Sequence, residues 1–364
     1  MRSVAAAIVM CVSATAGCSA EPPQAKPAAD AHATPVTTRK VRDVKIAIVY
    51  RSEYEISLGG LEKAHPFDVH KYGKIHKRLL KKRLLRRADT YAPEQIASAD
   101  LLRVHKAAYI TSLGSSAAAA KYLEMPLVAA LPSSVLEDGI VRPFRYATGG
   151  TLLAARLALK AGAAINIGGG FHHAKPDTGE GFCVFADIPV AIRALQAEKR
   201  IARALIVDVD VHQGNGTAVC LAGDETTFAF SMHQRDIYPI PKEKGDLDIH
   251  LESGTDDATF LKILGENLPK VFDKARPDIV FLVAGCDTLA GDPLASLKMT
   301  VEGLVRRDAM VFDAAVKRGV PVVMTLAGGY SKDAAKAQYA SIANLLKTYG
   351  LAAKPARHED APQR

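Results

Sequence analysis

The chain predicts an α/β architecture: a mostly parallel sheet with helices on both faces. Three observations carry this. Short continuous apolar strands recur along the sequence, amphipathic helical stretches alternate with them, and chemistry-bearing residues cluster where the strands run out. The 364 residues are 48% hydrophobic and 24% charged, which excludes disorder for most of the chain and suffices for one large domain or two smaller ones. Lys plus Arg number 47 against 39 for Asp plus Glu, a net charge of +8. That mild excess permits an anionic surface or ligand. With no Trp, few aromatics and no RNA-binding signature, nucleic acid is not an expected partner. Five Cys are too few for a disulfide scaffold in a chain this long, and Cys183, Cys220 and Cys286 read as buried free thiols.

In chain order, residues 1–18 read as a secretory signal. Arg2 gives a positive start, Val4 to Thr15 is an apolar or small-residue run too short to span a bilayer, and Thr15-Ala16-Gly17-Cys18 resembles a bacterial lipobox with Cys18 as the lipidation site. Plain secretion with cleavage near Ala20 and a misassigned start on a cytosolic protein are the alternatives. Residues 19–43, with Pro22, Pro23, Pro27 and Pro35 among Ala and almost no bulky apolar side chain, read as a flexible tether. An exported, lipid-anchored protein of the bacterial cell envelope follows, with Ser19 favouring the periplasmic face of the outer membrane. Residues 44–350 form the folded domain and 351–364 a polar tail.

Within the domain, Val44 to Tyr50 is a β-branched run and the first strand. Gly59 to Gly73 is a turn-rich loop. Ile75, Leu79, Leu80, Leu84 and Leu85 then share one helical face, with Lys and Arg opposite; the stretch Lys71 to Arg87 reads as a solvated basic face, or as one drawn to an anionic membrane. Helices are expected over Thr148 to Ala161, Asp187 to Lys199, Asp257 to Lys274 and Val301 to Arg318. Strands are expected over Ala163 to Ile167, Ala204 to Val209, Phe228 to Met232, Ile279 to Ala284 and Val320 to Leu326. Ligands of such sheets bind beyond the carboxyl ends of the strands.

The strand Ala204 to Val209 runs out into Asp208-Val209-Asp210-Val211-His212. In an extended chain Asp208, Asp210 and His212 share a face. A second strand ends near Asp287. Asp210, His212 and Asp287 would give three protein ligands and leave a position for water, the pattern of catalytic zinc, although iron or cobalt also suit such donors. A third strand end carries Gly168-Gly169-Gly170-Phe171-His172-His173, with two imidazoles fit for proton transfer. A fourth carries Gly328-Gly329-Tyr330, where the phenol can donate to an oxyanion.

The segments GGGFHHAKPDTGEGFC, IVDVDVHQGNGT, AGCDTLAGDP and LAGGY resemble the histone deacetylase superfamily. Together with LEKAHPFDVHKYGKI and RPFRYATGGT, at residues 61–75 and 142–151, they look most like its class IV branch. The resemblance covers roughly Val44 to Gly350. It implies the arginase/deacetylase α/β fold and zinc-dependent hydrolysis of an N-acyl amine such as acyl-lysine. It also implies zinc at Asp210, His212 and Asp287, catalytic His172, His173 and Tyr330, and a substrate channel at Gly170, Phe182 and Tyr238. A structural potassium ion at Asp208, Asp210, His212 and Ser231 follows too, with Asp208 orienting His172. Many members have Asp where this chain has Asn215, the partner of His173; an amide stabilises an imidazolium less than a carboxylate does.

His173 is the expected general base, and His173 or His172 protonates the leaving amine. Three competing readings stand beside the acyl-lysine hydrolase. One is an acylpolyamine or other small N-acyl amine hydrolase, one a non-catalytic acyl-amine-binding lipoprotein, and one an arginase-type enzyme, for which the two-manganese ligands are missing. Acyl length, metal identity and oligomeric state are open at this stage.

Overall fold

β-Branched and other apolar residues without breaks make strands that are buried on both faces, which a parallel sheet under two helical layers requires. The computed structural model describes residues 44–352. The signal, Cys18, the tether and residues 353–364 lie outside the described residues. In chain order come β1 (Lys45–Val49), α1 (Lys71–Lys81) and β2 (Thr90–Tyr91). Four short helices follow: α2 (Ser98–Leu101), α3 (Ala107–Ser112), α4 (Ser116–Tyr122) and α5 (Ser133–Leu136). The remaining elements are α6 (Arg142–Ala161), β3 (Gly162–Asn166), α7 (Asp187–Ala197), β4 (Ala204–Asp208), α8 (Asn215–Cys220), β5 (Thr227–Gln234), β6 (Leu247–Leu251), α9 (Asp257–Ala275), β7 (Ile279–Val283), α10 (Val301–Lys317), β8 (Val322–Thr325) and α11 (Ala334–Tyr349).

The eight strands form one sheet in the order β2-β1-β3-β8-β7-β4-β5-β6, and every pairing is parallel. The expected α/β class is therefore present, in all-parallel form. The order also explains why the motifs meet. Strands β3, β8, β7 and β4 are neighbours in space though far apart in the chain, so their four carboxyl ends form one contiguous rim. Strands β3, β4 and β7 are buried along their whole length. Among the described residues, no helix is long and apolar enough to cross a membrane.

Differences from the sequence expectation are local and have physical causes. The basic helix starts at Lys71, one turn early, because Lys71, Tyr72 and Gly73 point inward rather than closing a loop. Lys71 is fully buried and leaves the solvated face expected of it. Its Nζ donates to the carbonyls of Ala327 at 2.7 Å and Gly328 at 3.0 Å. Helix α6 starts at Arg142, so Arg142 to Ala147, read only as a motif, forms its first turns. Residues Gly350 to Ala352 bond to Ile46 on β1, covering the half of that strand that the two-residue β2 leaves open. Cys183, Cys220 and Cys286 are free; Cys183 and Cys286 are buried and Cys220 is half-buried.

Candidate metal-dependent active site

Each site residue sits just past the end of a strand, where the regular ladder stops and side-chain carboxylates take over the backbone donors. Beyond β4, Asp210 Oδ1 accepts from the His212 amide at 2.9 Å and Oδ2 from the Gly328 amide at 2.9 Å. Beyond β7, Asp287 Oδ1 accepts from the Val211 amide at 3.0 Å. The outer carboxylate oxygens and the imidazole of His212 are left facing one another. His212 Nδ1 lies 3.2 Å from both Asp210 Oδ1 and Asp287 Oδ2. All three residues are buried, and their candidate ligand atoms lie within 4.8 Å of one another; this is the single such cluster among the described residues. A Cβ at Gly328 would stand 2.1 Å from Asp287 Oδ2 and 2.7 Å from Asp210 Oδ2, so glycine keeps that space clear. Two carboxylates and an imidazole in a dry pocket suit a divalent cation.

Electrostatics lead to the same conclusion. Burial pushes Asp287 up to about 6, with the adjacent Asp210 charge adding to it. Burial lowers His212, but hydrogen bonds to Asp210 and Asp287 outweigh that and lift it to about 10. Two carboxylates this close repel, and positive charge between them relieves the repulsion. A cation would hold both carboxylates ionised and take His212 as a neutral ligand.

The tandem histidines extend from the loop after β3. Asp187, at the start of α7, holds this loop: its Oδ2 accepts from the Gly170 amide at 2.9 Å and from Thr151 Oγ1 at 2.6 Å, and its Oδ1 from the Phe171 amide at 2.8 Å. His172 Nδ1 lies 2.7 Å from Asp208 Oδ2. Burial opposes its charge, yet Asp208 and Asp210 raise it to about 9. His173 Nδ1 lies 2.6 Å from Asn215 Oδ1. Burial, then the charges of His172 and His212, hold His173 far toward its neutral form. The two rings stand 4.1 Å apart, one favouring its charged form and the other neutral.

Tyr330 is aimed by Asp292, whose Oδ2 accepts from the amides of Tyr330 at 2.8 Å and Ser331 at 3.1 Å. Its ring packs edge-on to His212 at 6.1 Å and to Phe182 at 6.0 Å. Tyr238 packs edge-on to His173 at 5.0 Å. Phe182, at φ 64°, follows Gly181, at φ 54°; the turn they form presses against His173, where a Cβ on Gly181 would lie 2.4 Å from Cδ2. Gly170, His172, His173, Phe182 and Tyr330 line a channel of about 820 Å³ counted to its open mouth, and the same channel reaches Tyr54, Tyr72, Phe144 and Ala147. Ser231 pairs in register with Asp208 across β5 and β4.

The structure thus brings Asp210, His212 and Asp287 into one cluster and sets His172, His173, Gly170, Phe182 and Tyr330 on one channel; Tyr238, expected on the channel wall, is not among the residues that line it and meets the site through the His173 ring. Sequence reasoning missed the residues that hold them. Asp187 was read only as the start of a helix. Glu180 and Asp292 stood inside quoted motifs without a role. Arg307 lay on an ordinary amphipathic helix; it is fully buried and donates to Val209 O at 2.9 Å and Thr288 Oγ1 at 3.1 Å, tying the loops after β4 and β7 together.

Comparison with known proteins bears on this geometry. A family model described as Histone deacetylase domain matches residues 65–346. Histone deacetylase 2 of Arabidopsis thaliana is 39% identical over 314 residues, covering 85% of this chain and 81% of its own. A histone deacetylase-like amidohydrolase of Pseudomonas aeruginosa is 30% identical, covering 64% of each chain. The crystal structure of the HDA15 HD domain superposes with a TM-score of 0.67 at 20% identity, covering 83% of this chain and 90% of that one; this likeness is one of fold.

Proposed function

The chain belongs to the histone deacetylase family and is a hydrolase, and from that premise we propose that it removes the acyl group from an acyl-lysine or related N-acyl amine with a catalytic zinc ion. The observation that carries this is the Asp210, His212 and Asp287 cluster packed, through the His212 ring, against His173 and Tyr330, which with His172 line one channel. Iron or cobalt would fit the same donors.

Asp210, His212 and Asp287 hold the ion. When bound, it supplies Lewis acidity, lowering the pKa of a water and polarising the acyl carbonyl. His173, held neutral by burial and its charged neighbours, takes the proton of the attacking water at Nε2, because Nδ1 is occupied by Asn215. It then returns that proton to the leaving amine. His172, hydrogen-bonded through Nδ1 to Asp208, stands beside it as an electrostatic partner. Tyr330 donates its phenol to the oxyanion, a contact worth ~3–4 kcal/mol for one donor. Phe182 and Tyr238 flank the acyl-lysine stem, with Gly170 opening the channel floor. A structural potassium ion at Asp208, Asp210, His212 and Ser231 completes the proposal, as does membership of the class IV branch.

The channel favours an acyl chain longer than acetyl. Its lining is mostly aromatic and aliphatic, and Glu62, the one carboxylate on it, turns Oε2 to the amides of Leu58 and Gly60. We further propose an exported protein, lipid-anchored through Cys18 in the bacterial envelope. The metal-loaded full-length chain, assayed on acetyl-, octanoyl- and myristoyl-lysine peptides and acetylputrescine, tests the substrate reading. Turnover should rank the longer acyl-lysines first. Acetylputrescine ranking first would move the assignment to a small-amine hydrolase, and tight binding without turnover would leave a binding protein.

A further inference from the structure

Asn215 stands where a carboxylate would be the stronger partner for His173, and an amide can face either way. If it faced wrongly, its NH2 would meet His173 Nδ1, the imidazole would carry its proton on Nε2, and no base would face the channel. Something must fix the amide's sense.

Glu180 does so. Asn215 Nδ2 donates to Glu180 Oε1, and a carboxylate offers only acceptors. The NH2 of Asn215 must therefore face Glu180, and its Oδ1 must face His173, at 2.6 Å from Nδ1. His173 must then donate from Nδ1, which leaves the Nε2 lone pair free. Glu180 is itself held as an acceptor: Tyr238 OH donates to the same Oε1 at 3.1 Å, and Lys175 Nζ lies 3.4 Å from it. Glu180 also opens the tight turn in which the Cys183 amide bonds to the Glu180 carbonyl at 2.9 Å. One residue thus anchors both the Phe182 wall and the Asn215 amide.

We propose that Glu180 is a positioning residue for the reaction, setting the tautomer of His173 through Asn215 and so supplying at one remove the negative partner that position 215 lacks. The inference rests on His173 as general base. Glu180→Gln keeps the shape but can donate, so it permits Asn215 to turn over.

The test uses the full-length metal-loaded chain. Glu180→Gln should lower kcat by about 10–100-fold, the scale for residues that orient a ligand or base, with KM and melting temperature close to wild type; Glu180→Ala should do the same. In an Asn215→Asp background, where a carboxylate meets His173 directly and cannot turn over, Glu180→Gln should cost little. Imidazole nitrogen NMR of the metal-free chain should report a proton on Nδ1 of His173 in the wild type and a mixture of tautomers in Glu180→Gln. An equal cost in both backgrounds, or an unchanged kcat and tautomer in Glu180→Gln, overturns the inference. An active His173→Ala would instead overturn the base assignment beneath it, whereas a dead His173→Ala with an unaffected Glu180→Gln removes Glu180 alone.

Discussion

At Gly328 the absence of a side chain does the work of shaping a ligand site. Its backbone does not occupy the left-handed region, so alanine is tolerated conformationally, yet the new methyl would fall 2.1 Å from Asp287 Oδ2. Gly328→Ala should fold with near-normal melting and lose affinity for Zn²⁺, measured by titration calorimetry; wild-type affinity would show that the ion sits elsewhere. Asp210→Ala and His212→Ala should be inactive, Asp210→Ala with a lowered melting temperature because it leaves the amides of His212 and Gly328 unpaired, and the wild type should lose activity to a chelator and regain it with Zn²⁺. Tyr330→Phe tests a different term. It removes one donor and almost no volume, so kcat should drop by about 10²–10³ while metal binding persists; a kcat within a few-fold of wild type would remove Tyr330 from the chemistry. The residues behind these predictions were legible in sequence because metal ligands, histidine pairs and glycine turns are rare in those combinations. Asp187, Glu180 and Asp292 were not, since a carboxylate that bonds to backbone amides looks in sequence like any loop acid.

Among elements, the strands were readable because continuous apolar runs of about five residues have few other homes. The region from α2 to α5 and strands β2 and β6 carried no such run, and no expectation covered them. Lys71 shows the limit of helical periodicity, which places a cation on a face without saying that the face meets a buried turn. The link between α2 and α7 carries a titratable joint. His105 Nε2 accepts from the Ala186 amide at 3.0 Å and Nδ1 lies 3.0 Å from the Lys175 carbonyl, so the ring is neutral, and burial pushes it down to about 4. An unfolded histidine titrates near 6.5. The folded value being lower, the unfolded state binds more protons between those limits. Stability is full above roughly pH 6.5 and falls as pH drops toward about 4, by up to ~3 kcal/mol from this residue. Melting curves from pH 7 to 4.5 should slope less steeply for His105→Gln than for wild type. Parallel slopes would assign the acid sensitivity to other groups.

For the whole molecule, the parallel sheet gives the domain two unlike ends. The catalytic rim lies at the carboxyl ends of the strands. The described chain begins at Val44, just before β1, and so at the opposite end. Cys18→Ser should abolish labelling by a radioactive fatty acid and leave an unprocessed precursor, while an unlabelled wild-type protein in the cytosol would sink the envelope assignment. The carboxylates at the rim have one more consequence. Asp210 and Asp287 latch the loops through backbone amides as well as facing the ion site. The same two side chains therefore tie loop order to ion binding, since whatever pulls on their carboxylates also pulls on the backbone they hold. A substitution at either carboxylate is then felt twice, once by the ion and once by the shape of the rim.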